Sequence, residues 1–178
     1  MEVVSASFLS ELETAQRSHT RLFELLRSAG WTEERQAPLP SEEGTPGFVL
    51  HDYAQAFLRS FHEIKVVKPT DIGGSQIVYA GFKVGLGPAL QRMDPPQASV
   101  YIDRIAGTSF VYPVMNFEDC VAFLLEDGRA LAVDEIFRGC VWTKTIFDLM
   151  HWAVFKERLP GFEMRELTMQ ERPLDYRW

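Results

Sequence analysis

The sequence predicts an α+β domain: one sheet of about six strands, mixed or antiparallel, with three flanking helices. Three observations point there. Up to Ile64 the apolar side chains recur at helical spacings; from there to Val133 the period falls to about two or breaks into short apolar runs; one further helical period follows before Pro160. A chain of 178 residues, 46% hydrophobic and 12% aromatic, is long enough for one well-buried core and short for two. Residues 1–178 are therefore expected to form a single domain.

The first helical stripe runs through Phe8, Leu12, Ala15, His19, Leu22, Leu26 and Ala29 at alternating spacings of four and three. Ser10 and Glu13 offer a capping box, and the polar middle "TAQRSHT" also fits two shorter helices. With Ala29 as C-cap, Gly30 takes the left-handed position, and Trp31 folds back on Leu25 or Leu26 as the apolar contact of a Schellman ending. That spacing accounts for Trp31 without a ligand. From Thr32 to Gly47 the chain is rich in Pro, Gly and acid and reads as a loop. Asp52 with Gln55 is then expected to cap a second helix, whose buried stripe is Tyr53, Ala54, Phe57, Leu58, Phe61 and Ile64.

The runs "IKVVK", "QIVYAGF", "SVYIDRI", "FVYPV", "CVAFLLE" and "ALAV" read as strands. Asp127-Gly128 suits a two-residue type I′ turn, which sets Glu126 against Arg129, Leu125 against Ala130, Leu124 against Leu131 and Phe123 against Ala132. Both faces of that hairpin are apolar, so it belongs mid-sheet with cover on both sides, at least in part. A third helix starts at Thr143 or Thr145, buries Ile146, Leu149, Met150, Ala153 and Val154, and ends before Leu159-Pro160-Gly161. The tail has no clean period. It either docks through Phe162, Leu167, Leu174 and Trp178, which are costly to leave in water, or is partly mobile.

Charge narrows the function classes. With 18 basic and 25 acidic side chains the formal charge is -7, which repels phosphate backbones and favours a basic partner over direct contact with nucleic acid. No apolar run approaches the ~20 residues of a bilayer span. Cys120 and Cys140 lie in apolar surroundings without a C-x-x-C spacing, as expected of two buried thiols in a cytoplasmic protein. His19, His51, His62 and His151 form no H-E-x-x-H and stand near no cysteine at zinc spacing, so no metal is expected. His19 and His151 read as hydrogen-bonded interfacial imidazoles. There is no G-x-S-x-G. In "GFKVGLGPAL", Leu90 replaces the third glycine of a dinucleotide fingerprint and Pro88 removes a backbone donor, so the stretch is a turn with no cofactor to hold. No catalytic set assembles, which favours a binding function.

The run "LLRSAGW" with Glu34-Arg35 after it, the helix "AQAFLRSF" (54–61), "YPV" (112–114), "LLEDGRAL" (124–131) and "FDLMHWAVF" (147–155) together resemble the third subfamily of the SUKH superfamily. The likeness spans about residues 22–160, leaving 1–21 as a helical N-terminal extension and 161–178 as a C-terminal tail. Where family members continue the Phe-Leu-x-x-Phe helix into Gly-Gly, this chain has His62-Glu63. The resemblance implies a strongly bent mixed sheet flanked by helices. It further implies a non-enzymatic bacterial immunity protein that binds and blocks the cognate toxin domain of a polymorphic toxin system.

On that reading, acidic loops and an aromatic anchor occlude a basic, nucleic-acid-directed toxin. The interface candidates are Glu42, Glu43, Asp71, Asp94, Glu118, Asp119 and Trp142. The acids also read as solvated loop charge and Trp142 as core. Two rival readings are an intracellular SUKH-type adaptor with a host partner, and a small hydrolase or transferase with an unrecognised site.

Overall fold

Residues 6–39, 45–71, 77–85 and 87–176 are described by a computed structural model, in which helices cover both faces of one seven-stranded sheet. The helices are α1 (Ala6–Ser18), α2 (Thr20–Ser28), α3 (Asp52–Phe61), α4 (Pro88–Arg92), α5 (Pro95–Ala106) and α6 (Ile146–Phe155), with a 3₁₀ turn at Leu174–Tyr176. The strands are β1 (Lys65–Asp71), β2 (Ile77–Val84), β3 (Val111–Phe117), β4 (Cys120–Leu125), β5 (Ala130–Asp134), β6 (Gly139–Thr143) and β7 (Glu163–Glu166). They pair in sequence order, and all six pairings are antiparallel. The α+β class stands. Among the described residues there are seven strands where about six were expected and six helices where three were, and of the two expected arrangements, mixed or antiparallel, the sheet takes the antiparallel one.

Alternation along the central strands divides two cores. Tyr112, Ala122, Leu124, Ala130, Ala132 and Val141 face α1, α2, α3 and α6; Val111, Val121, Phe123, Leu131, Val133 and Cys140 face α4 and α5. The hairpin is therefore covered on both sides, as its two apolar faces require. Among the described residues, none of β1 or β2 belongs to the second core, and on that side Lys65, Val67 and Lys83 are exposed.

The Gly30-Trp31 ending is a full Schellman motif: Gly30 N–H donates to Arg27 O at 3.0 Å and Trp31 N–H to Leu26 O at 2.9 Å, with Gly30 at φ 93°. The Trp31 ring lies flat on Phe61 at 5.5 Å and edge-on to Phe23 at 5.1 Å, in the same buried cluster as Leu26. The first stripe divides at His19 into α1 and α2, and Ser10 is interior to α1, not its cap. Helix α3 is capped by His51, whose Nδ1 accepts from the Ala54 N–H at 3.2 Å, and not by Asp52. Thr145 caps α6 as expected, its hydroxyl accepting from Asp148 N–H at 3.1 Å.

Three strand expectations change. "SVYIDRI" lies within α5, entered through Pro95-Pro96 and closed at Gly107, with Ala98, Ile102 and Ile105 buried at four and three while Val100 is exposed. Strands β6 and β7 are additional. The hairpin register is one residue off the type I′ expectation: Leu124 faces Ala130 and Phe123 faces Leu131. Leu125 N–H donates to Arg129 O and Gly128 N–H to Leu125 O, which makes a three-residue loop, and only Gly128 of Asp127-Gly128 has positive φ. Both registers bury both faces, so the turn decides. In β3 an irregularity between Pro113 and Met115 accommodates Pro113, and Val114 turns its carbonyl to Gly85 N–H at 2.7 Å. Both thiols are free. In the tail, Leu167 is buried and Phe162 packs on Trp152, whereas Leu174 is exposed; Trp178 lies outside the described residues.

Candidate functional site

Acids and aromatic rings gather at the end of the sheet marked by the β4–β5 turn. Glu126 and Asp127 are exposed on the turn. Arg129 folds back on it, its Nε donating to Asp127 Oδ2 at 2.8 Å, and its guanidinium carbon lies 5.5 Å from the centre of the Trp142 ring. Two hollows meet at Arg129. One, of about 330 Å³, is lined by Arg129, Trp142, Thr143, Lys144, Gly161 and Glu163. The other, of about 290 Å³, is lined by Thr108, Phe110, Leu125, Glu126, Asp127 and Arg129. Phe110 is 47% exposed and Trp142 half-buried, so each offers an apolar face beside exposed carboxylates.

The support beneath the turn is polar and buried. His51 Nε2 donates to Leu124 O at 3.0 Å while Nδ1 accepts from Ala54, which fixes the neutral ring with its proton on Nε2. Burial lowers its pKa from the ordinary 6.5; the nearby Glu126, Asp52 and Asp127 pull upward without reversing this. The Glu11 carboxyl of α1 packs with the Tyr53 hydroxyl against Gly128. Burial pushes the Glu11 pKa up to about 7, the Tyr53 hydroxyl opposes that, and Asp148 and Asp127 add to it. Four exposed acids, Asp52, Glu126, Asp127 and Glu163, thus share this end, and among the described residues only Asp127 has a cation partner.

The interface residues expected from sequence are divided by the fold. Trp142 lies on β6 toward the turn end. Glu118 and Asp119 form the β3–β4 turn at the opposite end, and Asp71 closes β1, which runs toward that end too. Glu118 is paired with Lys156, so its charge is locally compensated. Asp119 is exposed, and its carbonyl accepts from Glu135 N–H at 2.8 Å. Asp94 is exposed at the start of α5 with positive φ. Glu42 and Glu43 lie outside the described residues. Asp52, Glu126 and Asp127 escaped the sequence reading because each was assigned to capping or turn formation.

A second polar cluster joins the α1–α2 junction to α6. His19 Nε2 lies 3.1 Å from Asp148 Oδ1, His151 Nε2 lies 3.0 Å from Glu157 Oε2, and the two rings are 5.4 Å apart. Arg21 holds the other Glu157 oxygen at 3.0 Å and covers the Phe155 ring. Both imidazoles are buried between helices, each with its own carboxylate, an arrangement that ties helices together. Among the described residues no group of three or more His, Cys, Asp or Glu has metal-holding geometry, and no helix is long and apolar enough to cross a membrane.

No protein-family model, curated protein or solved structure matches the chain.

Proposed function

We propose that this chain is a cytoplasmic immunity protein of the third SUKH subfamily, which binds the toxin domain of a polymorphic toxin and blocks it without catalysis. One observation supports the binding part: three exposed carboxylates, Glu126, Asp127 and Glu163, of which only Asp127 has a cation partner among the described residues, line two hollows whose walls hold Phe110 and Trp142. Aromatic faces beside exposed carboxylates suit a basic protein surface, where steering speeds encounter and the rings supply buried area. The family part rests on the sequence resemblance. Its motif residues also pack together: Trp31 stacks on Phe61, Phe61 meets Phe147, and an Arg35 N–H donates to the His62 carbonyl at 3.0 Å. Those motifs build the core, so partner choice falls to the turn end, which lies outside most of them.

The test is co-purification with the C-terminal domain of a long secreted protein encoded beside this gene. A complex is expected at micromolar concentration or below. Trp142→Ala should weaken it by about 2 kcal/mol, roughly 30-fold in Kd. Glu126→Lys with Asp127→Lys should slow association and reduce its salt dependence. Absence of a complex defeats the toxin reading, and a complex indifferent to all three substitutions removes the turn end as its interface.

A further inference from the structure

On the face of β1 and β2 that carries Lys65, Val67 and Lys83 the charge reverses. Lys65 and Lys83 are direct cross-strand partners. Both are exposed, with their side chains on the face where Asn116, the partner of Lys83 on β3, also lies. Like charges in that position repel, since cross-strand Cβ atoms stand roughly 5 Å apart. One more cationic group lies close by: Arg35 and Lys83 both act on the His62 ring, whose pKa is lowered first by burial, with Glu63 opposing and those two charges adding to the fall. Neither lysine has a carboxylate partner among the described residues.

These lysines border a hollow of about 250 Å³ floored by Val67 and Gly81. Gly81 is there for want of space: a Cβ at this position would stand 2.1 Å from the Val66 carbonyl oxygen. The floor is therefore bare backbone beside an exposed valine. The one acid on the rim, Glu118, is already tied to Lys156. In a chain with seven more acids than bases, a cross-strand lysine pair without a counter-charge over a recess is a place where a ligand supplies the missing charge.

We propose that this recess binds a small oxyanion carrying two or more charges, bridged between Lys65 and Lys83. The hollow is smaller than the pockets that enclose drug-sized ligands, so its occupant is a compact group: a phosphate ester or a di- or tricarboxylate. The site is independent of the turn end, and its failure would leave the proposed partner binding untouched.

Backbone amide NMR with inorganic pyrophosphate and, separately, citrate tests it at constant ionic strength. Saturable shifts are expected at 65–67, 81–83 and 116, together with an anion-dependent rise in Tm. Lys65→Gln combined with Lys83→Gln should abolish both effects and, in the absence of anion, raise Tm by relieving the repulsion. Response to pyrophosphate alone assigns a phosphate ligand, and response to citrate alone a carboxylate. Shifts spread equally over Lys144 and Lys156, or unchanged in the double variant, would overturn the proposal.

Discussion

His51 provides the sharpest test of how the turn end is held. Its ring spends both nitrogens, one capping α3 and one on the Leu124 carbonyl of β4, with only 7% of the residue exposed. His51→Ala removes an N-cap worth about 1 kcal/mol and a buried hydrogen bond worth about 1 kcal/mol. With the lost packing, the total is about 2–3 kcal/mol. His51→Asn keeps an acceptor for Ala54 and should recover about 1 kcal/mol of that.

Protonation should undo the same cap, because a protonated Nδ1 cannot accept. The His51 pKa is depressed from 6.5 in the folded chain, so below pH 6.5 the unfolded state binds the extra proton first. The stability His51 contributes is then complete at alkaline pH and is lost as pH falls below 6.5 toward the folded value. Urea unfolding of the wild type and His51→Ala at several pH values between 8 and 5 isolates this effect. His62, whose pKa is also lowered, and Glu11, which titrates with the opposite slope, are present in both proteins and cancel in the difference. The gap should narrow steadily on acidification. A gap that stays constant over that range would refute the assignment of Nδ1 as acceptor.

Three further outcomes follow from the structure. Glu11 gives stability that is greatest below pH 4.5 and is lost as pH rises through about 7, so Glu11→Gln should gain about 1–2 kcal/mol at pH 8, allowing for solvent contact, and nothing at pH 4; urea titrations at the two pH values measure it. Gly81→Ala drives a Cβ into the Val66 carbonyl and should cost about 3 kcal/mol, seen as a lower Tm with loss of amide protection confined to β1 and β2. Trp31→Ala removes a ring stacked on Phe61 and edge-on to Phe23, at about 3–5 kcal/mol in urea, whereas Trp31→Phe should retain more than half of that.

Local chemistry was legible where one short segment decides the outcome. Gly30 followed by Trp31 marks a Schellman ending because the two backbone hydrogen bonds that define it both lie within Leu26 to Trp31. Thr145 is legible as a cap for the same reason. The β4–β5 register was not, since Val121 to Leu125 and Ala130 to Val133 are buried on both faces, and a one-residue slip exposes nothing. The α5 segment reads like a strand because Val100, Tyr101 and Ile102 form a short apolar run of β-branched and aromatic residues, while the helical evidence lies at its borders, in Pro95-Pro96 and Gly107.

The acids pose a harder problem, which is where charge survives. Glu118 looks as free as Glu126 in the sequence, but Glu118 meets Lys156 and Glu135 meets Arg92 only after β3, β4, β5, α4 and α6 are assembled. Asp134 is likewise spent, its carboxylate accepting from the backbone N–H groups of Ile136, Arg138 and Gly139. Such pairings bring together residues far apart in the chain, and no local pattern encodes them. What a partner meets is the remainder after this neutralisation, and at the turn end the remainder is Asp52, Glu126 and Glu163 beside Phe110 and Trp142. On the proposed binding function, net charge indicates the sign of the partner, while folding, by choosing which carboxylates keep no counter-charge, selects the surface offered to it.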